Sequence, residues 1–499
     1  MLTRIKVKNY KGFKDAEIPI KPITILLGAN SSGKSSMLQL LSLLQQTAEE
    51  SSDSYGSALK IFGKRINIGK PENMFFCRDC KTPIKIQIEF NDTKLQHIIQ
   101  KYSESFNLFI SYCYNSDVND KDSLIKALNR RRINKTIIPT YIFDTYYESI
   151  VSKQDISNKN KEALIRNFDL LYTQRNKAKS NSFSAEFTIS YKRKQLVISG
   201  FSIQNGDLLI LSYDEGTSFS SDLISLNDTE KNQLKSSFAK KASIFNLFKP
   251  ITKRSSLVVS MITIVNNVTS HLRNEFKEPI INHVGPLRAH PQRYYMLDKA
   301  SVSFSLDTYD PNAIAEVIKD NEKIKNKVNE WFEKFGLKVD VEAFKEAIHK
   351  FTVYQSELDL DITDVGFGVS QVLPVVMQGF LSPENSFTIV EQPEVHLHPK
   401  MQASLADLFI DITKESKFTK NLIIETHSEY LLKRLRRRMA EGDNIKPDKV
   451  SINLFHARIN NSPAIIENLE IGEKGAFKWP KDYYDDDLYD DITEFLKLQ

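Results

Sequence analysis

The pattern of apolar and polar positions at the start of the chain predicts three strands and a helix. Residues 2–10 (LTRIKVKNY) alternate as a strand does, and residues 16–20 (AEIPI) form a second strand after a turn at Lys11-Gly12. The apolar run 22–28 (PITILLG) predicts a third strand, and a glycine-bounded loop then leads to a helix over 35–46 (SSMLQLLSLLQQ). The chain therefore begins with strands, the last of which leads through a loop into a helix.

Alternation with a period of two residues continues further along the chain. Residues 83–90 (PIKIQIEF) predict a half-exposed antiparallel strand. Residues 187–191 and 195–203 predict two more strands, and the second leads into 208–213 through Gln-Asn-Gly-Asp, a strong hairpin signal. These segments predict an antiparallel β subdomain.

The stretch 91–280 is rich in Lys, Asn, Ser and Asp and shows no catalytic spacing, so we interpret it as an inserted arm or lobe that makes contacts. Within it, residues 162–175 (EALIRNFDLLYTQR) place Leu164 and Phe168 on one helical face, which favours core packing. No heptad pattern persists, so a long coiled coil is not expected. The run Arg130–Arg132 is interpreted as a solvated charge cluster.

Composition places the chain among folded globular proteins. With 499 residues, 41% of them hydrophobic and 26% charged, it is long enough for two or three domains, or for one domain with a large insertion. No apolar run of about 18 residues occurs, and the N-terminus is charged from Arg4 onward, so we expect a cytoplasmic protein without a membrane segment. The net charge of +5 neither requires nor excludes nucleic acid.

The segment Gly28–Ser35 (GANSSGKS) matches the phosphate-binding pattern G-x-x-x-x-G-K-[ST] between an apolar strand and a helix. Glycines let backbone N–H groups close around an anion, and the helix N-terminus adds partial positive charge. We expect Lys34 to reach the β and γ phosphates of ATP, and the Ser35 hydroxyl to ligate Mg²⁺. The residues expected to bind the nucleotide in this loop are Gly28, Asn30, Ser31, Ser32, Gly33, Lys34, Ser35 and Ser36.

A second glycine-rich helix start lies at 364–371 (DVGFGVSQ), ahead of the apolar segment VLPVVMQGF. Two glycines and a serine at a helix N-terminus form a second anion-binding position in the same chain. Two such positions suggest a ligand shared between two copies, and an ordinary glycine-rich helix entry is the alternative. The residues expected to complete the pocket of the other copy are Gly366, Gly368, Ser370 and Gln371.

Two buried strands then end in candidate catalytic residues. The strand 387–391 (FTIVE) ends in Glu391, the expected Mg²⁺ ligand, and Glu394 follows as a candidate for polarising the attacking water. The strand 421–425 (NLIIE) runs into a polar turn, where His427 is expected to hydrogen-bond the γ phosphate. The order and spacing of these segments carry the prediction.

Two other patterns resemble metal sites and are interpreted otherwise. His396 and His398 have no carboxylate or cysteine partner at ligand spacing, so we assign them to an interface or to supporting contacts. Cys77 and Cys80 form a single CxxC without a second pair, so zinc is not expected. With Cys113 they are the only cysteines, which fits a reducing compartment.

The motifs, in this order, resemble the ABC-type ATPases of the overcoming-lysogenization-defect group, over about the first 90 residues and over 280–480. The resemblance implies that GANSSGKS is the Walker A loop, GFGVSQ the ABC signature, FTIVEQPEVHLHP the Walker B strand and its turn, and THS the switch. It implies an α/β fold: an ABC-type P-loop ATPase head split in sequence, with an antiparallel β subdomain and an inserted mixed helical arm. It also implies a homo-oligomer, at least a dimer, with ATP between the Walker A loop of one head and the signature of the other.

The resemblance yields a domain plan with one departure from the family pattern. The plan is an N-terminal ATPase lobe (1–90), a contact arm or lobe (91–280), a C-terminal ATPase lobe (281–480) and an acidic tail (481–499). Many ABC ATPases end the Walker B strand in Asp-Glu, whereas this chain has Glu391-Gln392, with glutamine at the usual position of the catalytic glutamate. Either Glu394 substitutes for it, or hydrolysis is slow and ATP acts mainly as a clamp.

Residues 283–288 (HVGPLR) and 475–480 (GAFKWP) resemble a narrower group, the bacterial anti-phage defence ATPases such as the ATPase subunits of the PARIS and Septu systems. This resemblance implies a sensor or scaffold role. The expected partners are a separately encoded nuclease-like effector of toprim type and a phage-encoded trigger that releases it.

Two other functions remain as alternatives. A nuclease within this chain would need a topoisomerase-primase-type domain with its own carboxylates, and the stretch after His427 is too short for one. The acidic residues 485–491 are therefore interpreted as a solvated tail. A DNA-repair clamp would close the heads around DNA and use the basic run Lys433–Arg438 for phosphate contacts. A steep salt dependence of DNA affinity would favour this clamp.

Overall fold

The computed structural model describes most of the chain, with gaps. The described residues are 1–50, 56–97, 166, 170, 180–249, 256–297, 306–308, 310–345, 348–414, 420–442, 445–459 and 462–477. The helix expected over 162–175 is described only at Arg166 and Leu170. The arginine run 130–132, Cys113 and the acidic tail 481–499 lie outside the described residues.

The strands, in chain order, are β1 (Leu2–Tyr10), β2 (Phe13–Pro19), β3 (Ile23–Gly28), β4 (Ile84–Asn91), β5 (Ser182–Lys192), β6 (Gln195–Asn205), β7 (Leu208–Asp214), β8 (Ser218–Ser220), β9 (Phe238–Ser243), β10 (Asn246–Phe248), β11 (Ile281–Val284), β12 (Tyr295–Met296), β13 (Leu337–Lys345), β14 (Ile348–Gln355), β15 (Leu358–Asp361), β16 (Phe387–Glu391), β17 (Asn421–Glu425), β18 (Val450–His456) and β19 (Ile465–Leu469).

The α-helices are α1 (Lys34–Glu49), α2 (Asp228–Ser237), α3 (Ser256–Glu275), α4 (Pro311–Asp320), α5 (Glu322–Phe332), α6 (Phe367–Leu381), α7 (Pro399–Lys414) and α8 (Glu429–Glu441). Among the helices that the structure describes, none has the length and apolar character needed to span a bilayer.

The chain forms two compact units. Unit 1 consists of Met1–Lys11 and Gln46–Glu275, and unit 2 consists of Gly12–Gln45 and Phe276–Gln499. Each unit therefore combines two segments that are separate in the sequence.

Unit 1 contains an antiparallel sheet. Neighbouring strands in this sheet lie in the order β1, β4, β5, β6, β7, β8. Strand β4 alternates buried with half-buried residues, as expected of a strand with one face on the core. Strands β6 and β7 pair from Asn205 and Leu208, and Gly206 in the turn has a φ of +56°, which confirms the hairpin that the Asn-Gly sequence predicts.

Unit 2 is built on a mostly parallel sheet in the order β11, β16, β17, β3, β18, β19. Neighbouring strands run parallel except at the edge, where β18 and β19 are antiparallel. Strand β3 comes from the start of the chain and its neighbours from the end, so the head is split in sequence and the predicted α/β fold class is confirmed. Every residue of β3 and β17 is buried, as expected when helices cover both faces of a parallel sheet.

The core of unit 2 contains side chains from this sheet and from the late helices. Ile25 and Ile424 belong to the same buried cluster as Val376 of α6, Leu408 of α7 and Leu432 of α8. Helix α6 is buried along nearly its whole length, consistent with its apolar sequence. A smaller sheet in the order β12, β14, β13, with β15 paired to β14, completes the unit.

Candidate nucleotide-binding site

The predicted Walker strands meet at one edge of the unit 2 sheet. Strand β17 lies between β16 and β3, and its last residue, Glu425, is in register with Glu391 on one side and with Leu26 on the other. The loop from Gly28 to Gly33 leaves β3 at the same edge and leads into α1. This is the carboxyl edge of a parallel sheet, where α/β proteins bind ligands.

The phosphate loop requires its two glycines for steric reasons. Gly28 has a φ of +138° and Gly33 a φ of +108°, both in the left-handed range. A Cβ atom added to Gly28 would lie 2.4 Å from the carbonyl oxygen of Phe455, and one added to Gly33 would lie 2.6 Å from Cζ of Phe13. The backbone therefore takes a path that only glycine allows at these positions.

Lys34 is buried at the base of this loop, where its side chain contacts main-chain and carboxylate oxygens. Its Nζ donates hydrogen bonds to the carbonyl oxygens of Gly28 (2.8 Å) and Ala29 (2.9 Å), and it lies 3.7 Å from Oε1 of Glu425. Burial lowers the pKa of Lys34, and the neighbouring Glu425 carboxylate opposes that shift.

The polar residues of the loop differ in exposure. Asn30, Ser31 and Ser35 are exposed, so their side chains are accessible to a ligand. Ser32 is buried, and its Oγ has no hydrogen-bond partner within the described part of the chain. Ser36 is half-buried, and its backbone N–H donates to the Gly33 carbonyl as α1 begins.

The expected Mg²⁺ ligand, Glu391, is held by a neighbouring strand. Its Oε1 lies 2.6 Å from Nε2 of His283, which is on β11 next to β16. Its backbone carbonyl accepts a hydrogen bond from Arg288 Nη2 at 2.7 Å, and the Gln392 carbonyl accepts one from the same atom at 3.2 Å. His283 and Arg288 belong to the HVGPLR segment, so this segment fixes the end of the Walker B strand.

Glu394 contacts the switch segment through both of its carboxylate oxygens. Oε1 accepts a hydrogen bond from the backbone N–H of His427 (2.6 Å), and Oε2 accepts one from Oγ1 of Thr426 (2.8 Å). Burial raises the pKa of Glu394, and these hydrogen bonds oppose the shift. The His427 side chain is itself exposed, and partial burial of its ring together with the Lys34 charge lowers its pKa. Glu394 therefore joins the turn at the end of β16, residues 391–394, to the switch segment Thr426–Ser428; we call the former the acidic turn.

Gln392 occupies the position where the family pattern has a catalytic glutamate. It has a φ of +45°, an uncommon conformation for a residue with a side chain, and its backbone N–H donates to the Glu425 carbonyl at 2.8 Å. Its side chain is half-buried, and an amide cannot act as a general base.

The predicted signature forms the N-terminus of α6. Gly366 is the N-cap residue, and no atom lies within 4 Å of a Cβ added there. Gly368 is close to the turn after β16, since an added Cβ would lie 2.7 Å from the His396 carbonyl oxygen. Ser370 is buried, and its Oγ donates to the Phe367 carbonyl at 2.9 Å. The start of the helix is thus open at Gly366 and packed from Gly368 onward.

Gln371 ends the signature segment and faces inward. Its carbonyl oxygen accepts a hydrogen bond from Nη1 of Arg288 at 3.0 Å, and its side chain is buried. Its Nε2 has no hydrogen-bond partner among the residues that the structure covers. The predicted site residues form two groups. One group surrounds Glu425 and consists of Lys34, Glu391, Glu394 and His427. The other group is the signature segment, which contacts Arg288 and the turn at His396.

The residues present fit ATP with Mg²⁺. The loop offers backbone N–H groups at a helix N-terminus, and two buried polar atoms, Ser32 Oγ and Glu425 Oε2, have no partner in the described ranges. Nowhere in those ranges do three or more His, Cys, Asp or Glu side chains form a metal site by themselves. Mg²⁺ in phosphate sites takes one or two carboxylates and completes its shell with phosphate and water, so Ser35 and Glu391 suffice as protein ligands.

Three residues at this site, namely Glu425, His283 and Arg288, were not among the site residues predicted from the sequence. Glu425 lies at the end of a buried strand, and His283 and Arg288 lie in a segment that the sequence marks only by resemblance. An acidic residue directly before the Thr-His-Ser switch is the signal that could have identified Glu425. Buried charge at the end of a central parallel strand is otherwise unexpected.

The basic run on α8 is paired within the chain. Lys433 contacts Glu429, Arg434 lies 3.6 Å from Asp407, and Arg437 lies 2.9 Å from Glu441. Arg438 forms ion pairs with Asp407 at 2.6 Å and Glu441 at 2.7 Å, and Arg436 lies over the ring of Phe477 at 5.6 Å. Three carboxylates therefore pair with four of these cations, so the run is only partly neutralised within the chain.

Comparison with known proteins identifies a family for most of this chain. Residues 1–432 match the family described as the AAA ATPase domain. No curated protein matches the sequence significantly.

Several solved structures resemble the fold at low sequence identity. The head domain of an SMC protein from Thermotoga maritima is 9% identical, with 94% of this chain and 99% of that chain covered and a TM-score of 0.37. An Smc head domain with an extended coiled coil bound to the C-terminal domain of ScpA, derived from Pyrococcus furiosus, is 11% identical, with 94% and 96% covered and a TM-score of 0.34. An Smc head domain from Pyrococcus yayanosii is 11% identical, with 95% and 98% covered and a TM-score of 0.34.

Proposed function

Since the chain belongs to the AAA ATPase domain family, we propose that it binds ATP with Mg²⁺ and hydrolyses it at the site around Lys34. One observation carries this proposal. A glycine-dependent loop at a helix N-terminus holds a buried lysine next to the carboxyl ends of two strands that bear Glu391 and Glu425. This arrangement brings together cationic, anionic and backbone N–H groups of the kinds that phosphoryl transfer uses, which supports the proposal.

Each residue has a distinct task in this proposal. The backbone N–H groups from Gly28 to Ser36 bind phosphate oxygens, and Lys34 neutralises the terminal phosphates. Ser35 and Glu391 would hold Mg²⁺, which polarises the terminal phosphate when it is bound. His283 fixes the orientation of the Glu391 carboxylate through their 2.6 Å contact.

The acidic turn supports slow turnover. Glu394 already accepts hydrogen bonds on both oxygens, so we assign it to holding His427 near the γ phosphate as much as to activating water. Gln392 can orient a water molecule but cannot accept its proton. The proposed enzyme therefore keeps ATP bound for long periods and uses it largely as a clamp.

Two copies would complete each site. The open N-terminus of α6 at Gly366 leaves room for a ligand that is not part of the same chain. Backbone N–H groups at that terminus would bind the γ phosphate held by the loop of the second copy. The order of the motifs along the chain supports this arrangement.

The finer function that we propose is a sensor subunit in bacterial anti-phage defence, one that holds a separate nuclease-like effector of toprim type and releases it on a phage signal. The HVGPLR segment, with its buried Arg288, and the C-terminal GAFKWP segment support this role through the resemblance that they carry. A nuclease-like gene beside this one in the genome is the expected observation, and a gene that stands alone would argue against the effector.

The activity is tested with purified protein, ATP and Mg²⁺. Lys34→Ala should abolish ATP binding, measured by calorimetry, because it removes the cation that neutralises the phosphates. Glu391→Ala and Glu394→Ala should each spare binding and lower phosphate release by about tenfold or more. Glu467→Gln, an exposed carboxylate on β19, serves as the control that should leave both measurements unchanged. Turnover that survives both acid changes would contradict the assignment of the acids.

A further inference from the structure

Glu425 has a position in the nucleotide site that the sequence motifs do not assign. It ends β17, the strand that separates the phosphate-loop strand β3 from the Walker B strand β16. Its register partners are Leu26 on β3 and Glu391 on β16. The Glu425 carboxylate is therefore close both to Lys34 and to the residue proposed to hold Mg²⁺.

The ammonium group of Lys34 is held by three oxygens of the protein. Its Nζ donates hydrogen bonds to the carbonyls of Gly28 (2.8 Å) and Ala29 (2.9 Å), and it forms an ion pair with Oε1 of Glu425, which at 3.7 Å lies beyond hydrogen-bond distance. A phosphate oxygen that binds the third ammonium hydrogen therefore has to compete with the Glu425 carboxylate for the Lys34 charge. Glu425 is the most distant and the only charged partner of the three.

The charge around Glu425 is unfavourable for a bare triphosphate. Burial raises the pKa of the Glu425 carboxylate, the Lys34 charge opposes this shift, and the nearby Glu391 and Glu394 carboxylates raise the pKa further. Its Oε2 is buried without a hydrogen-bond partner in the described part of the chain. Adding phosphate charge beside this buried carboxylate increases repulsion, which water screens less than at an exposed group. A divalent cation that arrives with the phosphates would balance both anions.

We propose that Glu425 makes ATP binding conditional on a divalent cation, an inference that rests on the proposed function of the site. Without the cation, Glu425 holds Lys34 and repels the terminal phosphates. With the cation, the carboxylate is balanced and Lys34 is free to bind phosphate. The residue thus discriminates between free ATP and the ATP–Mg²⁺ complex.

Calorimetric titration of the full chain with ATP, once in EDTA and once in excess Mg²⁺, tests the proposal. The measured quantity is the ratio of Kd without Mg²⁺ to Kd with Mg²⁺. Glu425→Gln should lower this ratio by about tenfold relative to the unaltered chain, mainly by tightening binding in EDTA, because a buried like charge is removed. Glu425→Ala, which removes the same charge, has the same expectation and is measured alongside it.

Two controls separate charge from shape and position. Glu425→Asp keeps the charge and should keep the ratio within about threefold of the unaltered chain. Glu467→Gln makes the same chemical change on the exposed face of β19 and should leave the ratio unchanged. A ratio that changes equally in all of these variants would contradict the proposal.

The outcomes distinguish this inference from the proposed function. If the unaltered chain binds no ATP in either condition, the proposed function fails and this inference fails with it. If the unaltered chain binds ATP, Lys34→Ala abolishes that binding, and Glu425→Gln leaves the ratio unchanged, the proposed function stands and Glu425 has no such role.

Discussion

At the scale of single residues, Arg288 links two segments of the proposed site in unit 2. One buried guanidinium donates to the carbonyl oxygens of Gln371 at the start of α6 and of Glu391 and Gln392 at the end of β16. A planar, permanently charged group with several donors suits this task, and lysine cannot reproduce it. The arginine therefore determines where two motifs lie relative to each other.

Replacing Arg288 tests this link. Arg288→Met should destabilise unit 2 by on the order of 3 kcal/mol, because buried carbonyl groups lose their charged donor. Urea unfolding followed by the fluorescence of the buried Trp331 measures the change. Arg293→Met is the matched control, since Arg293 is exposed and forms a surface ion pair with Asp364, so its loss should change stability by less than about 1 kcal/mol. Equal effects of the two changes would contradict the role of Arg288.

The sequence identified part of the site at this scale. The lysine and serines of the phosphate loop could be named because chemistry requires them at fixed spacing. Glu425 was not named, because its role depends on which strand lies beside β3. That neighbour, β17, is almost four hundred residues away along the chain, and strand order cannot be read from local periodicity.

At the scale of elements, α6 connects an open N-terminus to a tightly packed body. The space around Gly366 is open, whereas an added Cβ at Gly368 would meet the His396 carbonyl at 2.7 Å. The ring of Phe367 packs edge-on against the ring of His396, with 5.1 Å between the ring centroids, so the helix start contacts this turn at a second point. The helix start is thereby fixed to the turn after β16 while its first residue stays accessible.

The two glycines make a matched pair of alanine substitutions. Gly368→Ala should destabilise the protein by about 1–3 kcal/mol, because the added methyl group forces backbone apart. Gly366→Ala should change stability by less than about 0.5 kcal/mol, since its surroundings are open. Urea unfolding measures both. An unchanged stability in Gly368→Ala would mean that the turn at His396 moves freely.

Elements with a strong pattern were predicted from sequence, but the ends of some of them differ in the structure. Strand β1 coincides with the predicted range 2–10, and the hairpin of β6 and β7 is confirmed. Helix α6 begins at Phe367, several residues before the apolar segment that predicted it, because a glycine-rich start carries no apolar periodicity. Short strands such as β12 were not predicted, since two residues make no pattern.

At the scale of the whole molecule, the proposal makes the site incomplete in one chain. The loop with Lys34 and the open helix start at Gly366 both belong to unit 2, and in the proposal they act on different nucleotides. A homodimer with twofold symmetry would supply each nucleotide with one element from each copy. This arrangement would place catalysis under the control of association.

Mixing two inactive variants tests this arrangement. Lys34→Ala removes the phosphate-binding cation, and Gly366→Glu places a negative side chain at the open helix start, so neither variant should hydrolyse ATP alone. Mixed in equal amounts, they should regain about a quarter of the unaltered activity, because half of the dimers would contain one intact site. Phosphate release measures the recovery, and light scattering with ATP measures the dimer. A mixture that stays inactive while dimers form would contradict shared sites.

The bridge formed by Arg288 has a consequence for how two such sites would behave together. The helix that one copy extends toward its neighbour's nucleotide is tied, through a single side chain, to the acidic turn at its own nucleotide. Occupancy on one side would therefore be communicated to the other, in both directions and with equal coupling free energy. The pair would then bind ATP along a curve that differs from that of two independent sites.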